Sequence, residues 1–377
     1  MMESIIITDN VIEMTEIGKR LMCEKPSIYT DKMVSTIKET VRKFLTKEKD
    51  RPVTECEIEE AMYRSVYDYW VYGNSCDEEF YYNFREKSHE EKLKYMTFRL
   101  RELYCKHVNA NGDRELFVDK YKTYQRFKDY YLREVIQINS DEDYESFASF
   151  VSKHPSFVVK PKDMAFGLGV YLVKPEDYSD IRALFDSIRR HGAQNKQEIV
   201  WAKSDSIVIE ELIDQDPSTA VIHPESVNGI RVTTVRCGNI VHIYHPWFKI
   251  GANGQFVTSA VCGTMDACIN PETGVVETKG YKEDGEAFEC HPNTGIKIVG
   301  FQIPRWNELL SIAKEVACSL DGVNYVGWDF VLTPNGWCIM EANYDGDFMW
   351  QMCYGKGMRQ EFEKLIGWKM DKDFWWQ

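Results

Sequence analysis

Three oxygen-bearing side chains fall within the run WDFVLTPNGWCIMEAN, from Trp328 to Asn343: Asp329, Glu341 and Asn343. The run reads as a β-hairpin, with apolar and aromatic residues on both sides of a Thr-Pro-Asn-Gly turn. With the turn at Pro334–Asn335, Asp329 falls opposite Met340 or Glu341, depending on the register. Period-two alternation puts Glu341 and Asn343 on one face, and in the second register Asp329 joins them. Two adjacent carboxylates repel unless a cation lies between them. Magnesium takes such hard oxygen ligands and keeps its other positions for water and phosphate. Either carboxylate alone reads as an edge or surface residue, but the set of three within so apolar a hairpin favours a metal. On that reading, neutralising one carboxylate relieves repulsion and raises the stability of the metal-free protein.

A phosphate-binding partner for such a metal is legible upstream. In FVVKPKDMAFGLGVYLV a strand ends at Lys160, and a loop with Gly167 and Gly169 leads into another strand. Such a loop can turn its amides toward a phosphate while the lysine acts as a point charge. Alone, the segment reads as a hairpin with a glycine turn; it is neither a Walker A motif nor a dinucleotide fingerprint. Lys120, in FVDKYKTYQRF, is a second cation. IVIEELIDQD supplies a strand running into a connector at Glu210, Glu211, Leu212 and Ile213, of the kind that holds a nucleobase through backbone hydrogen bonds. In GIRVTTVR, Arg231 and Arg236 are an odd number of residues apart and point to opposite strand faces, and Arg231 is the one assigned to the site. His242 and His245 in VHIYHPW have a spacing that suits a turn or an acceptor-side position rather than zinc.

The elements that must carry these residues change in texture along the chain. Residues 1–115 read as a helical region. Met33, Val34, Ile37, Val41, Phe44 and Leu45 recur at helical spacing, and TECE and SHEE fit capping boxes. After SHEE, Leu93, Met96, Leu100 and Leu103 keep the helical period. From Phe117 strands and helices alternate, with Gly238–Asn239 as a hairpin turn and RWNELLSIAKEVACSL as an amphipathic helix. The expected division is 1–115, 116–205 and 206–377.

Composition narrows the classes. A formal charge of −14 argues against general nucleic-acid binding, which needs a basic field. No apolar run reaches the roughly 20 residues of a membrane span. The start MMESIIITDNVIEM lacks the basic segment of a signal peptide. The 11 cysteines show no CxxC pairs, so reduced thiols in a cytoplasmic protein are expected. The closing KDFWWQ reads as a docked tail rather than a ligand platform.

Taken in order, DKYKTYQRF, FVVKPKDMAFGLGV, VIEELI, NGIRVTTVR and GWDFVLTPNGWCIMEAN resemble the ATP-grasp superfamily over roughly 116–367. SVNGIRV, FKIGANG and PETG are similar to its sugar-transfer-associated, capsule-locus branch. The resemblance implies an α+β fold of two lobes clasping ATP behind a helical N-terminal region. It also implies roles. Lys120 and Lys160 contact the ATP phosphates, and the 163–169 loop closes over them. Glu210 to Ile213 bind adenine, and Arg231 stabilises the transferred phosphoryl group. Asp329, Glu341 and Asn343 hold magnesium. The implied activity is an ADP-forming carboxylate–amine ligase working through an acyl phosphate, on small-molecule, sugar-linked or amino-acid substrates in surface-polysaccharide decoration. A phosphotransferase using a hydroxyl acceptor and a non-catalytic nucleotide-binding partner are the alternatives. The chain departs from relatives at QFVTSAVCGTMDA, where an Asp-Asn pair and a double glycine are common, and this leaves the acceptor open; the sequence assigns no oligomeric state.

Overall fold

The computed structural model describes residues 5–165, 167–198, 202–253, 263–348 and 350–370. The chain forms two compact units. One comprises 1–108 with 283–286 and 347–377; the other comprises 109–282 with 287–346.

The first unit is helical. Helices Val11–Glu24, Asp31–Lys49 and Glu55–Tyr72 open it, and Thr30 and Thr54 cap the second and third, with a full capping box between Thr54 and Glu57. The box at Ser88–Glu91 forms as expected, but its helix stops at Lys92, and the next, Phe98–Val108, starts afresh. The expected unbroken period therefore fails between them. Tertiary partners take the intervening backbone amides: Met96 N donates to Gln351 Oε1 at 3.0 Å and Phe98 N to Glu78 Oε2 at 2.8 Å. Phe348 and Phe362 stack edge to face in this unit, so the chain beyond 346 belongs with the helices and not, as expected, with the sheet that carries the carboxylates.

The second unit holds two antiparallel sheets. The smaller contains β1 (Val135–Ile138), β2 (Phe157–Pro161), β3 (Tyr171–Val173) and β4 (Ile207–Glu211) in the order β1-β4-β2-β3. One face, with Phe157, Val159, Ile207 and Ile209, packs on helices Tyr144–Val151 and Ile181–Glu198 through Phe147, Phe150, Leu184 and Phe185. β4 lies between β1 and β2, so the expected lobe boundary at 205/206 falls one strand early.

The larger sheet runs β11-β10-β5-β6-β7-β8-β9. Its strands are β5 (Gly229–Cys237), β6 (Ile240–Ile250), β7 (Met265–Cys268), β8 (Gly280–Tyr281), β9 (Ala287–Phe288), β10 (Tyr325–Thr333) and β11 (Gly336–Asn343). The two-residue turn at Gly238–Asn239 forms as read, with Gly238 at φ 62°. Ile230, Val232, Trp328, Phe330, Leu332, Trp337 and Ile339 all enter one core with helix Trp306–Cys318. Their odd-and-even alternation leaves the intervening residues, the polar ones included, on the opposite face.

No described helix is long and apolar enough to cross a membrane.

Candidate nucleotide and metal site

The hairpin register resolves the first ambiguity. Asp329 pairs with Glu341 and Gly327 with Asn343, while a bulge follows at Asp329/Phe330. On its other side Asp329 pairs with Arg231 of β5. Arg231, Asp329 and Glu341 therefore form one row across three strands, facing away from the aromatic core. Arg236 goes elsewhere, donating to the Leu320 carbonyl at 2.6 Å, while Arg231 stands beside Asp329.

The state of the two carboxylates differs from expectation. Asp329, 1% exposed, accepts from Arg231 Nε at 2.6 Å and Nη2 at 3.0 Å; Asn343 Nδ2 lies at 3.4 Å and Lys249 Nζ at 3.7 Å. Burial alone would raise its pKa, but Arg231 and then Lys249 outweigh burial and hold it below the usual carboxylate range. The repulsion expected between Asp329 and Glu341 is thus offset by protein cations. Neutralising Asp329 would break a buried ion pair rather than relieve strain, which reverses the expected stabilisation. Glu341 is half-buried, and among the described residues its carboxylate enters no hydrogen bond or ion pair.

Among the described residues no group of three His, Cys, Asp or Glu gathers as metal ligands, so a cation here would depend on two carboxylates and an amide. The donor set is all oxygen, which fits magnesium. The uncommitted Glu341 carboxylate is the open ligand, and Asn343 spends its Nδ2 on Asp329 and Gly327, leaving its Oδ1 for a cation. Asp329 already receives three hydrogen bonds of the roughly four its oxygens can accept.

The smaller sheet supplies cations. Lys160 Nζ donates to Glu210 Oε2 at 2.9 Å. Lys120 opens a short helix, Lys120–Arg126, capped by Asp119, and its Nζ donates to the Met164 carbonyl. Burial draws the Lys120 ammonium below its ordinary pKa; Glu341 opposes that and Lys160 adds to it, which places all three groups within electrostatic reach. The connection from β2 to β3 is the expected glycine hairpin. Gly167 and Gly169 have φ 73° and 70°, and a Cβ on Gly169 would sit 2.7 Å from Pro161 Cγ. Phe166, the expected tip of that loop, lies outside the described residues, as do most of QFVTSAVCGTMDA and all of KDFWWQ.

The connector needs a correction. Glu210 and Glu211 belong to β4, and the Glu211 amide is already spent on the Glu134 carbonyl at 2.9 Å. The Glu210 side chain is buried and committed to Lys160 and Arg133, so it anchors cations rather than meeting a nucleobase. Burial pushes its carboxyl up, yet Lys160 and then Arg133 outweigh this and bring it down to about 2. Beyond the strand, Leu212, Ile213 and Asp214 line a cavity of about 130 Å³, together with Tyr131, Arg133 and the Thr333–Asn335 turn. Cys338 also lines it and pairs with Val331, two residues along from Asp329 on the same sheet face. Cavity and carboxylates therefore share one surface. Arg133 escaped sequence reading: a lone arginine before a strand carries no signal until Glu210 is placed beside it.

A family model described as sugar-transfer associated ATP-grasp matches residues 99–366. No curated protein matches the chain in sequence. Among solved structures, D-alanyl-alanine synthetase A from Vibrio cholerae O1 biovar eltor str. N16961 is 14% identical, with 67% of this chain and 65% of that one covered and a TM-score of 0.39. N5-carboxyaminoimidazole synthetase from Staphylococcus aureus, complexed with ADP, is 11% identical, with 68% and 53% covered and a TM-score of 0.42. D-alanine–D-alanine ligase from Helicobacter pylori is 16% identical, with 67% and 58% covered and a TM-score of 0.37. The chain spans between about half and two-thirds of the length of these proteins.

Proposed function

The chain belongs to the sugar-transfer-associated ATP-grasp family, and from that premise we propose that it is an ADP-forming ligase joining a carboxylate to an amine at the expense of ATP. The observation that carries the reading is the row Glu341–Asp329–Arg231 on one sheet, with Lys120 close enough to Glu341 to feel its charge and Lys160 anchored on the opposing sheet. Lys120, Arg133, Lys160, Arg231 and Lys249 gather around Glu210, Asp329 and Glu341, while Glu211 and Asp214 lie at the cavity end. The cations at the carboxylate end suit a polyphosphate.

Adenine occupies the cavity at Leu212–Asp214, and the phosphates extend along the shared sheet face toward the carboxylates. Lys120 and Lys160 meet the phosphate oxygens, and the glycine loop after β2 donates amides to them. Glu341 and Asn343, with Asp329 behind them, hold magnesium, which when bound screens the phosphate charge. Arg231, kept in place by Asp329 and stacked 5.3 Å over Trp247, is a fixed positive charge beside the transferred group. An acceptor carboxylate oxygen bonds to the γ-phosphorus while the bond to the β-phosphate oxygen breaks, giving an acyl phosphate and ADP. The amine nitrogen then attacks the acyl carbon, the C–O bond to phosphate breaks, and the nitrogen loses a proton. Family membership supports a sugar-linked or amino-acid acceptor in surface-polysaccharide decoration. Among the described residues every cysteine is free, which suits a reducing cytoplasm.

A coupled ADP-release screen over sugar acids, amino sugars and amino acids tests the proposal, with hydroxylamine added to trap the acyl phosphate. A hydroxamate that forms with the carboxylate alone supports the ligase. A phosphorylated hydroxyl product, formed without any amine, would instead make the protein a phosphotransferase. Nucleotide binding without turnover of any acceptor pair would leave a non-catalytic partner protein.

A further inference from the structure

Arg133 is saturated. Its Nε and Nη2 donate to Glu210 Oε2 at 3.0 and 2.8 Å, and Nη2 also reaches the Met340 carbonyl at 3.3 Å. Nη1 donates to the carbonyls of Tyr131 and Ile339 at 3.1 and 2.6 Å. The guanidinium stacks over Tyr131 at 4.4 Å, and its side chain is 3% exposed. A guanidinium has five N–H donors, and here each has an acceptor. Lys160, on the same Glu210 oxygen, is the opposite case. Its one hydrogen bond among the described residues is to Glu210 Oε2 at 2.9 Å, its side chain is 16% exposed, and Lys120, which feels the charge of Glu341, feels that of Lys160 too.

Glu210 therefore carries one cation that is also fixed by three backbone carbonyls and one that is held by Glu210 alone. We infer that Arg133 is a positioning residue that keeps Glu210 charge-compensated, so that Lys160 is free to leave Glu210 for a nucleotide phosphate. The inference rests on the nucleotide-binding reading above. Its chemistry is a competition. A buried carboxylate with a single counter-ion holds that ion tightly, because its departure would leave an unpaired buried charge. With Arg133 in place, the departure of Lys160 leaves Glu210 still doubly hydrogen-bonded to a guanidinium. The same side chain ties β4 to the carbonyls of Ile339 and Met340, immediately before Glu341, so the dock of Lys160 is held in register with the open carboxylate.

The test compares MgATP with adenosine by calorimetric titration of the full chain. Wild type must first bind MgATP; if it does not, the nucleotide reading itself falls, and this inference with it. Arg133→Met leaves Glu210 with Lys160 as its sole cation. It should weaken MgATP binding about tenfold, the scale of one charged hydrogen bond, and adenosine binding clearly less, because Arg133 lines the cavity but only phosphate competes with Glu210 for Lys160. Adding Glu210→Gln removes the competing charge and should return MgATP affinity to within about threefold of wild type. A role confined to bracing the Ile339 and Met340 carbonyls would not be rescued in this way. Equal loss for adenosine and MgATP, or no rescue in the double variant, overturns the inference. If Arg133→Met does not fold, Arg133→Lys carries the test, because it keeps the charge but offers three donors for four acceptors. MgATP binding within about threefold of wild type supports the inference, and a tenfold loss there overturns it.

Discussion

Asp329→Asn separates a carboxylate that serves a cation site from one that holds the protein together. Asp329 is 1% exposed, and its partner Arg231 has a side chain only 7% exposed. The variant takes the paired carboxylate away from Arg231, whose face stays over Trp247. Breaking a buried pair by removing one partner costs about 3–5 kcal/mol. The new amide oxygen still accepts one bond from the guanidinium, so the lower end, about 3 kcal/mol, is expected. The chain has two compact units, so a single global transition is a poor gauge. Urea unfolding should be followed by hydrogen exchange of peptides spanning β5 and β10, which report the sheet unit directly. A buried pair is screened far less than a surface one, so the loss should persist from about 0.1 to 1 M salt. Glu341→Gln is the control. Its carboxylate is uncommitted, so stability should move by less than about 1 kcal/mol while ADP release is abolished. If Asp329→Asn is as stable as wild type, or more so, repulsion from Glu341 outweighs the Arg231 pair and the assignment of Asp329 as an anchor is wrong.

Lys160→Ala should weaken MgATP binding about tenfold in a calorimetric titration; an unchanged dissociation constant would mean that the β2–β3 connection is only a turn. Gly169→Ala combines a φ of 70° with a Cβ 2.7 Å from Pro161 Cγ, so a melting curve should show a loss of about 1–2 kcal/mol. The Glu210 carboxyl is depressed to about 2 in the folded chain, against about 4.3 when unfolded. Its contribution to stability is therefore full above the unfolded value and is lost as pH falls from there toward 2. The stability gap between wild type and Glu210→Gln should be flat above about pH 5 and narrow steadily below about pH 4; a gap that does not change with pH contradicts the Lys160–Glu210–Arg133 cluster.

Short-range patterns made much of this site legible. The alternation in TyrValGlyTrpAspPheValLeuThr fixes that Asp329 points away from the side that buries Trp328 and Phe330, whatever lies beyond. The glycines at 167 and 169 mark positive φ because only they take it without strain. The two-residue turn at Gly238–Asn239 and the capping boxes at Thr54 and Ser88 follow from the same local chemistry. All of these depend on neighbours a few residues away.

What the tertiary structure decided depends on partners far along the chain. One bulge after Asp329 selects Glu341 rather than Met340 as its neighbour, and a bulge has no marker in this turn sequence. The helix expected through Leu93 and Met96 breaks because Gln351 and Glu78 claim its amides. Glu210 reads as part of a connector, yet it is an anchor, because strand pairing sets it beside Lys160 and the chain before β1 brings Arg133 to it. Asp329 and Glu341 look alike in sequence. Folding gives one of them two cations and leaves the other open, because only one lies next to the strand that carries Arg231. Charge compensation is a three-dimensional sum over buried neighbours, and residue type and spacing supply only the members of that sum.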